Sequence, residues 1–176
     1  YGYESHPLVN KIASAKLMWD VSADAVKDFA KDVIMYATQN ETTVDNFPEI
    51  VTKCYDESNL LQITSLKKAL KQYENNSKEY NVVWVGFVSM LRSASHAGTA
   101  TWQYVLPNKT KAKVSSAYEA FEKQIDMMVG DIAQFQSCNA KKGSTLLMQD
   151  ARKKSTLEDK SIDLIVTSPP YANNYD

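Results

Sequence analysis

Apolar residues recur at intervals of three and four through most of the chain, which is the spacing that places them on one face of a helix. Between about residues 21 and 137 this pattern predicts a series of helices. Ser22 and Ser115 or Ser116 are predicted to cap two of them, and Asn59 a third. We therefore expect a long, mainly helical central region.

Residues 82–88 form a continuous apolar run that could also be a buried strand. The apolar character continues through Met90 and Leu91, beyond the usual length of a strand. The pattern therefore favours a buried helix.

Short apolar runs near the two ends of the chain have the length and the turn residues of strands. Each run precedes a polar side chain: 1–3 precede Glu4, 145–149 precede Asp150, and 162–167 precede Ser168. Pro7 opens a helix that is predicted to reach about Trp19. Strands followed by polar residues are typical of a doubly wound sheet, where ligands bind beyond the carboxyl ends. The predicted fold class is therefore α/β, a partial Rossmann-like sheet with a large, mainly α-helical insertion.

The composition argues against several classes of protein. The 176 residues include 20 Lys and Arg and 21 Asp and Glu, so the basic surplus of a non-specific nucleic-acid binder is absent. Residues 81–91, the longest nearly uncharged apolar stretch, have about half the length needed to cross a bilayer, and no secretory signal opens the chain. Cys54 and Cys138 lie too far apart in sequence to indicate a disulfide framework or a zinc site. We expect a cytoplasmic protein that uses no metal and no membrane.

The sharpest motif is Ser168-Pro169-Pro170-Tyr171, directly after the apolar run 162–167. It resembles the catalytic motif of S-adenosylmethionine-dependent amino-methyltransferases of DNA, in which Asp, Asn or Ser precedes Pro-Pro and an aromatic residue. The serine form is similar to that of N(4)-cytosine methyltransferases. The resemblance implies transfer of a methyl group from S-adenosylmethionine to an exocyclic amino group of DNA, with N(4) of cytosine as the target.

The resemblance also implies a role for each residue of the motif. The Ser168 side chain and the Pro169 carbonyl would accept hydrogen bonds from the target amino group and aim its nitrogen at the sulfonium methyl. Pro169 and Pro170 restrict the backbone and hold these acceptors in place. Tyr171 would stack on a base flipped out of the duplex. No metal is needed, because the sulfonium is already an activated leaving group.

Three further residues match cofactor-binding positions of the same family. Glu4 matches the acid that accepts hydrogen bonds from the ribose hydroxyls of the cofactor. Asp150 matches the acid that binds the adenine amino group, and the backbone N–H of Ala151 would bind the adenine ring. A carboxylate at a strand end can instead cap a helix or form a turn.

The chain departs from the family in three respects. Its five glycines never form a Gly-x-Gly, so the glycine-rich turn that binds the cofactor is missing from these residues. The strands that complete the family's sheet after Tyr171 are missing too, and about 120 residues separate the second and third strands of the family. We expect a fragment of a longer enzyme, inactive alone and weak in binding S-adenosylmethionine. The predicted division is 1–19 as a methyltransferase strand and helix, 20–142 as a helical insertion, and 143–176 as methyltransferase strands with the catalytic turn.

The insertion contains a basic stretch that could contact DNA phosphates. Its residues are Arg92, His96, Lys109, Lys111 and Lys113, interleaved with Trp102 and Tyr104. The same lysines could instead belong to a solvated loop, and His96 could mark a helix end before Gly98.

Two other functions remain open on the sequence alone. One is an RNA or protein-amide N-methyltransferase, since these enzymes also methylate planar nitrogens beside a Pro-Pro-aromatic turn. The other is a helical protein-interaction module, whose apolar faces could also mediate oligomer formation.

Overall fold

Six helices and two short strands form the regular structure of the computed structural model, which describes residues 1–40, 42–98, 111, 113–138 and 143–167. The strands are β1 (Gly2–Tyr3) and β2 (Leu146–Leu147). The helices are α1 (Pro7–Lys16), α2 (Ala23–Gln39), α3 (Glu49–Thr52), α4 (Glu57–Gln72), α5 (Lys78–Ala94) and α6 (Ala117–Ser137).

Three serines determine where the long helices begin. The hydroxyls of Ser22, Ser77 and Ser116 precede α2, α5 and α6, and each accepts a hydrogen bond of 3.1–3.2 Å from the backbone N–H three residues later. The predicted caps at Ser22 and Ser116 are thereby confirmed. The predicted cap at Asn59 is wrong, because α4 begins after Asp56 and Asn59 lies buried in its first turn.

The core lies where α2, α4, α5 and α6 pack against one another. Their apolar faces meet because each helix has buried residues at helical spacing. The largest side chains with no more than 2% exposure include Phe121, Leu66, Met90, Val33 and Val83. The predicted helix at 82–88 is confirmed as part of α5, and four of its side chains are buried: Val82, Val83, Val85 and Phe87.

The amide of Asn59 joins three helices inside this core. Its Nδ2 donates to the carbonyl oxygens of Ala94 at 2.9 Å and Ser115 at 3.1 Å, and its Oδ1 accepts from the Ala117 N–H at 2.9 Å. This one side chain on α4 therefore provides hydrogen-bond partners for backbone groups at the end of α5 and at the beginning of α6.

The two strands are parallel, with Gly2 opposite Leu146 and Tyr3 opposite Leu147. The predicted α/β class, a partial Rossmann-like methyltransferase sheet, is wrong: the described chain is mainly helical and its sheet has two strands of two residues. Residues 162–167 form no strand. Their apolar side chains are exposed, reaching 78% at Leu164 and 87% at Val166, because no strand among the described residues pairs with them.

We predict that Asn59→Ala destabilises the fold by about 2–4 kcal/mol, because it leaves two carbonyl oxygens and one N–H without a partner. Gln62→Ala is the control, since Gln62 accepts a single partly buried bond from the Tyr118 N–H. Its expected cost is about 1 kcal/mol. Urea unfolding measures both free energies, and equal losses would contradict the central role of Asn59.

A second prediction compares two helical glycines. A Cβ at Gly86 would lie 2.6 Å from Cδ1 of the buried Ile125, whereas a Cβ at Gly130 would have no atom within 4 Å. Gly86→Ala should destabilise the protein, because overpacking costs about 1–3 kcal/mol. Gly130→Ala should stabilise it by about 0.5–1 kcal/mol. Thermal unfolding of both variants tests the opposite signs.

Candidate functional site

Two acidic residues lie beyond the carboxyl ends of the parallel strands. Glu4 follows β1 directly, and Asp150 comes three residues after β2. The Glu4 N–H donates to the Leu147 carbonyl at 3.0 Å, which extends the pairing of the two strands to this edge. Because parallel strands end on the same side, the structure brings both acids to one edge of the sheet.

Glu4 also organises the beginning of α1. Its Oε1 accepts a 2.7 Å hydrogen bond from the His6 N–H, and its carbonyl accepts from Asn10 Nδ2 at 3.4 Å. A carboxylate is favourable at this position because the first turn of a helix carries unpaired N–H groups and partial positive charge. The other oxygen, Oε2, accepts no hydrogen bond from the described residues, so it can accept one from a ligand.

Asp150 is held by Arg152. The Arg152 Nε lies 3.0 Å from both carboxylate oxygens, Nη2 lies 2.5 Å from Oδ2, and the Arg152 backbone N–H donates to Oδ1 at 2.9 Å. These bonds hold the pKa of Asp150 well below its ordinary value, with the guanidinium as the first cause and the backbone N–H as the second. The Arg152 side chain is 90% exposed, so it can swing into solvent and leave Asp150 available.

The segment after Asp150 turns back towards the sheet. The Lys153 N–H donates to the Asp150 carbonyl at 3.0 Å, and the hydroxyls of Tyr3 and Ser155 lie 2.7 Å apart. Ala151 is exposed within this turn, and its N–H donates to no other described residue. Glu4, Asp150 and Ala151 are thus all near the ends of β1 and β2, each with a group that could bind a ligand.

The predicted catalytic residues Ser168, Pro169, Pro170 and Tyr171 lie outside the described residues. Their roles therefore remain predictions. Lys109, Trp102 and Tyr104 of the basic stretch also lie outside the described ranges.

Two of the described residues of the basic stretch, Arg92 and Lys111, donate hydrogen bonds to backbone carbonyls. The Arg92 guanidinium donates to the carbonyls of Ala97 at 3.0 Å and Gly98 at 3.1 Å, and the Lys111 ammonium donates to the Arg92 carbonyl. Burial, with the nearby charge of Arg92 as a second cause, lowers the pKa of Lys111. Lys113 is exposed. Arg92 and Lys111 thus hold the segment after α5, and phosphate contact by this stretch remains a prediction.

Two features were missed in the sequence. Arg152 pairs with Asp150, and the acid-x-arginine spacing after a predicted strand was the available signal. The second feature is an open cleft of about 710 Å³ between α2, α4 and α6. In the sequence, the cleft was indicated only by polar residues at helical spacing in α4. The residues that line it include Thr38, Ser58, Gln62, Ser65, Lys68 and Tyr118.

The described residues contain no group of three or more His, Cys, Asp or Glu side chains placed to hold a metal ion. None of the helices in the described ranges has both the length and the apolar composition needed to span a bilayer. Comparisons of the chain with protein-family models, curated proteins and solved structures gave no match.

We predict that Arg152→Gln raises the pKa of Asp150 towards its ordinary value, because the largest cause of the lowered value is removed. The backbone N–H of residue 152 keeps part of the effect. Lys153→Gln removes the same charge but no hydrogen bond to the carboxylate, so it should change this pKa less. Carboxyl ¹³C NMR titration measures both; equal pKa changes would show that the guanidinium contacts do not matter.

The sign of the pH effect follows from the lowered pKa. The pair contributes to stability above the unfolded pKa of Asp150, and that contribution disappears as the pH falls through the folded pKa. Arg152→Gln should therefore flatten this part of the acid dependence. Because the pair is exposed, the change in unfolding free energy should be small.

Proposed function

We propose that this chain is part of a DNA methyltransferase that transfers a methyl group from S-adenosylmethionine to an exocyclic amino group, with N(4) of cytosine as the target. The observation that supports it most is the parallel pairing of β1 with β2, which brings Glu4 and Asp150 to one edge. In the sequence, the same two acids precede Ser168-Pro169-Pro170-Tyr171 in the family order. Neither acid was distinctive alone, and their common position after paired parallel strands is what makes a shared ligand reasonable.

The residues at this edge fit the hydrogen-bonding groups of S-adenosylmethionine. The Oε2 atom of Glu4 can accept from a ribose hydroxyl while Oε1 keeps its bond to the His6 N–H. Asp150 can accept from the adenine amino group once Arg152 moves aside, and the Ala151 N–H can donate to a ring nitrogen. When bound, the cofactor supplies a methyl group on a sulfonium, which needs no metal to leave.

Two acceptors of this chain would orient the amino group of the base. That nitrogen is a poor nucleophile, because its lone pair is delocalised into the ring. Hydrogen bonds to the Ser168 side chain and the Pro169 carbonyl would draw the two N–H groups out of the ring plane. Pro170 would fix this geometry, and Tyr171 would bind the flipped base by stacking, worth about 1–3 kcal/mol.

Arg152 has a second role in this proposal. It pairs with Asp150 when no ligand is present, so this carboxylate is not left without a counter-charge. Cofactor binding would exchange this exposed ion pair for a hydrogen bond to the adenine amino group. Because solvent screens an exposed pair of this kind, we expect the exchange to cost little.

We predict that Ser168→Ala, in the natural protein that contains this chain, lowers turnover on the order of a hundredfold and leaves DNA affinity nearly unchanged. Tyr171→Ala should weaken both turnover and affinity, because stacking acts before the reaction as well as during it. Ser161→Ala is the matched control, since its hydroxyl donates only to the Glu158 carbonyl in the connector. Single-turnover kinetics and DNA titration separate the two effects.

Mass analysis of digested DNA identifies the product. N(4)-methylcytosine is the expected modified base. Methyladenine would contradict the cytosine assignment alone, while methylation confined to RNA or to protein amides would contradict the DNA substrate. Unchanged turnover of Ser168→Ala would contradict the assigned role of the motif.

A further inference from the structure

The open cleft of about 710 Å³ between α2, α4 and α6 has the size of a small-molecule site, for which about 300–1,000 Å³ is usual. The described residues that line it belong to these helices and to the segment directly after α2, so the cleft is separate from the strand edge. Hydroxyl and amide side chains make up most of this lining, and such groups both donate and accept hydrogen bonds. The cleft therefore suits a ligand that carries hydroxyl groups.

Helix α4 presents one polar face to the cleft. Ser58, Gln62, Ser65 and Lys68 all line it, and they follow one another at intervals of four, three and three residues. Ser65 is buried, and its hydroxyl donates to the Leu61 carbonyl at 3.0 Å, so its oxygen can still accept a hydrogen bond. This face of α4 thus offers both donors and acceptors to one ligand.

The amide of Gln62 is oriented by the protein. The Tyr118 backbone N–H, at the beginning of α6, donates to Gln62 Oε1 at 3.2 Å, and the Tyr118 hydroxyl donates to the Ala37 carbonyl of α2 at 3.3 Å. Because a backbone N–H only donates, the Gln62 atom that faces it must be the oxygen. The Nε2 group therefore keeps two donors, which bond to no acceptor among the described residues. A ligand in the cleft meets donors that are already oriented.

Lys68 is the only charged side chain among the described residues that line the cleft. Its ammonium forms no ion pair with a described carboxylate, whereas the neighbouring Lys67 pairs with Asp45 at 2.8 Å. The hydrogen bond from Lys67 is the first cause of the lowered pKa of Asp45, and the charge of Lys68 is the last. A lysine of this kind is a point charge suited to a phosphate group.

We propose that this cleft binds a small anionic molecule that carries hydroxyl groups, of the class of phosphorylated sugars. Lys68 would bind the phosphate, while Gln62 Nε2 and the Ser65 oxygen would bind the hydroxyls. Six residues of helix separate Lys68 from Gln62, a rise of about 9 Å that a phosphorylated pentose and the lysine side chain can span together. None of these residues belongs to the strand edge or the Ser168 motif, so the proposal does not depend on methyl transfer.

An NMR titration of the chain with ribose 5-phosphate tests the proposal. The Gln62 side-chain amide and the Tyr118 backbone amide should shift together, with a dissociation constant of about 1 mM or below. Glu41 lies outside the described residues, so the preference for an anion is tested directly with neutral ribose. Ribose lacks the phosphate and inorganic phosphate lacks the hydroxyls, so each should bind about tenfold more weakly or worse. Equal affinity for either one would overturn the assigned ligand class.

Two variants test the assigned residues. Lys68→Gln should weaken ribose 5-phosphate binding about tenfold or more. Lys71→Gln is the matched control, because it removes the same charge from the same helix at a residue outside the described lining. Gln62→Glu keeps an acceptor for the Tyr118 N–H but replaces both donors by a negative charge, so binding should be lost. Equal weakening by both lysine variants would overturn the proposal. So would shifts confined to the strand edge, or no shift of the Gln62 amide at about 10 mM ligand.

Discussion

The buried amide of Asn59 is the interaction on which the helical packing depends. An amide inside a core is costly unless its donors and acceptor are satisfied, and here both N–H groups and the oxygen are bonded to backbone. Those bonds reach the last residue of α5 and the residues that begin α6. Helices α5 and α6 also pack directly on each other, and Asn59 adds hydrogen bonds that join the end of α5 to the beginning of α6.

The helical core also positions the strand pair. Helix α1 follows β1 and packs against both α5 and β2. The Lys11 ammonium lies 4.1 Å from the centre of the Trp84 ring, which connects α1 to α5 by a cation–π contact. Beyond α1, the Trp19 and Phe135 rings stack with centres 4.2 Å apart, and Gln136 donates to the carbonyls on either side of Asp20. The site edge is therefore anchored to the core through α1.

Helices and strands differed in how well the sequence predicted them. A helix satisfies its own backbone, so the length of the apolar run 82–91 was sufficient to predict α5. Residues 162–167 have equally apolar character, but a strand needs a partner edge, and local sequence contains no information about that partner. Asn59 shows a second limit of prediction from sequence. An asparagine near the start of a helix looks the same in the sequence whether it caps the helix or lies buried and bonds to neighbouring helices. The Asp150–Arg152 pair was local enough to predict, since only one residue separates its partners.

The acidic edge and the helical core share Glu4. One oxygen of its carboxylate stabilises the first turn of α1 through the His6 N–H, and the other has no partner among the described residues. Because helix α1 holds the charge in place, a ligand that binds the second oxygen meets a carboxylate that is already oriented and loses little side-chain entropy. Asp150 is oriented differently, by the exposed Arg152 side chain, which in the proposed function would move aside when a ligand binds. Under the proposed function, the edge therefore combines an acceptor that α1 holds in place with one that Arg152 occupies. Specificity would then depend more on Asp150, where a ligand has to replace the contacts of Arg152.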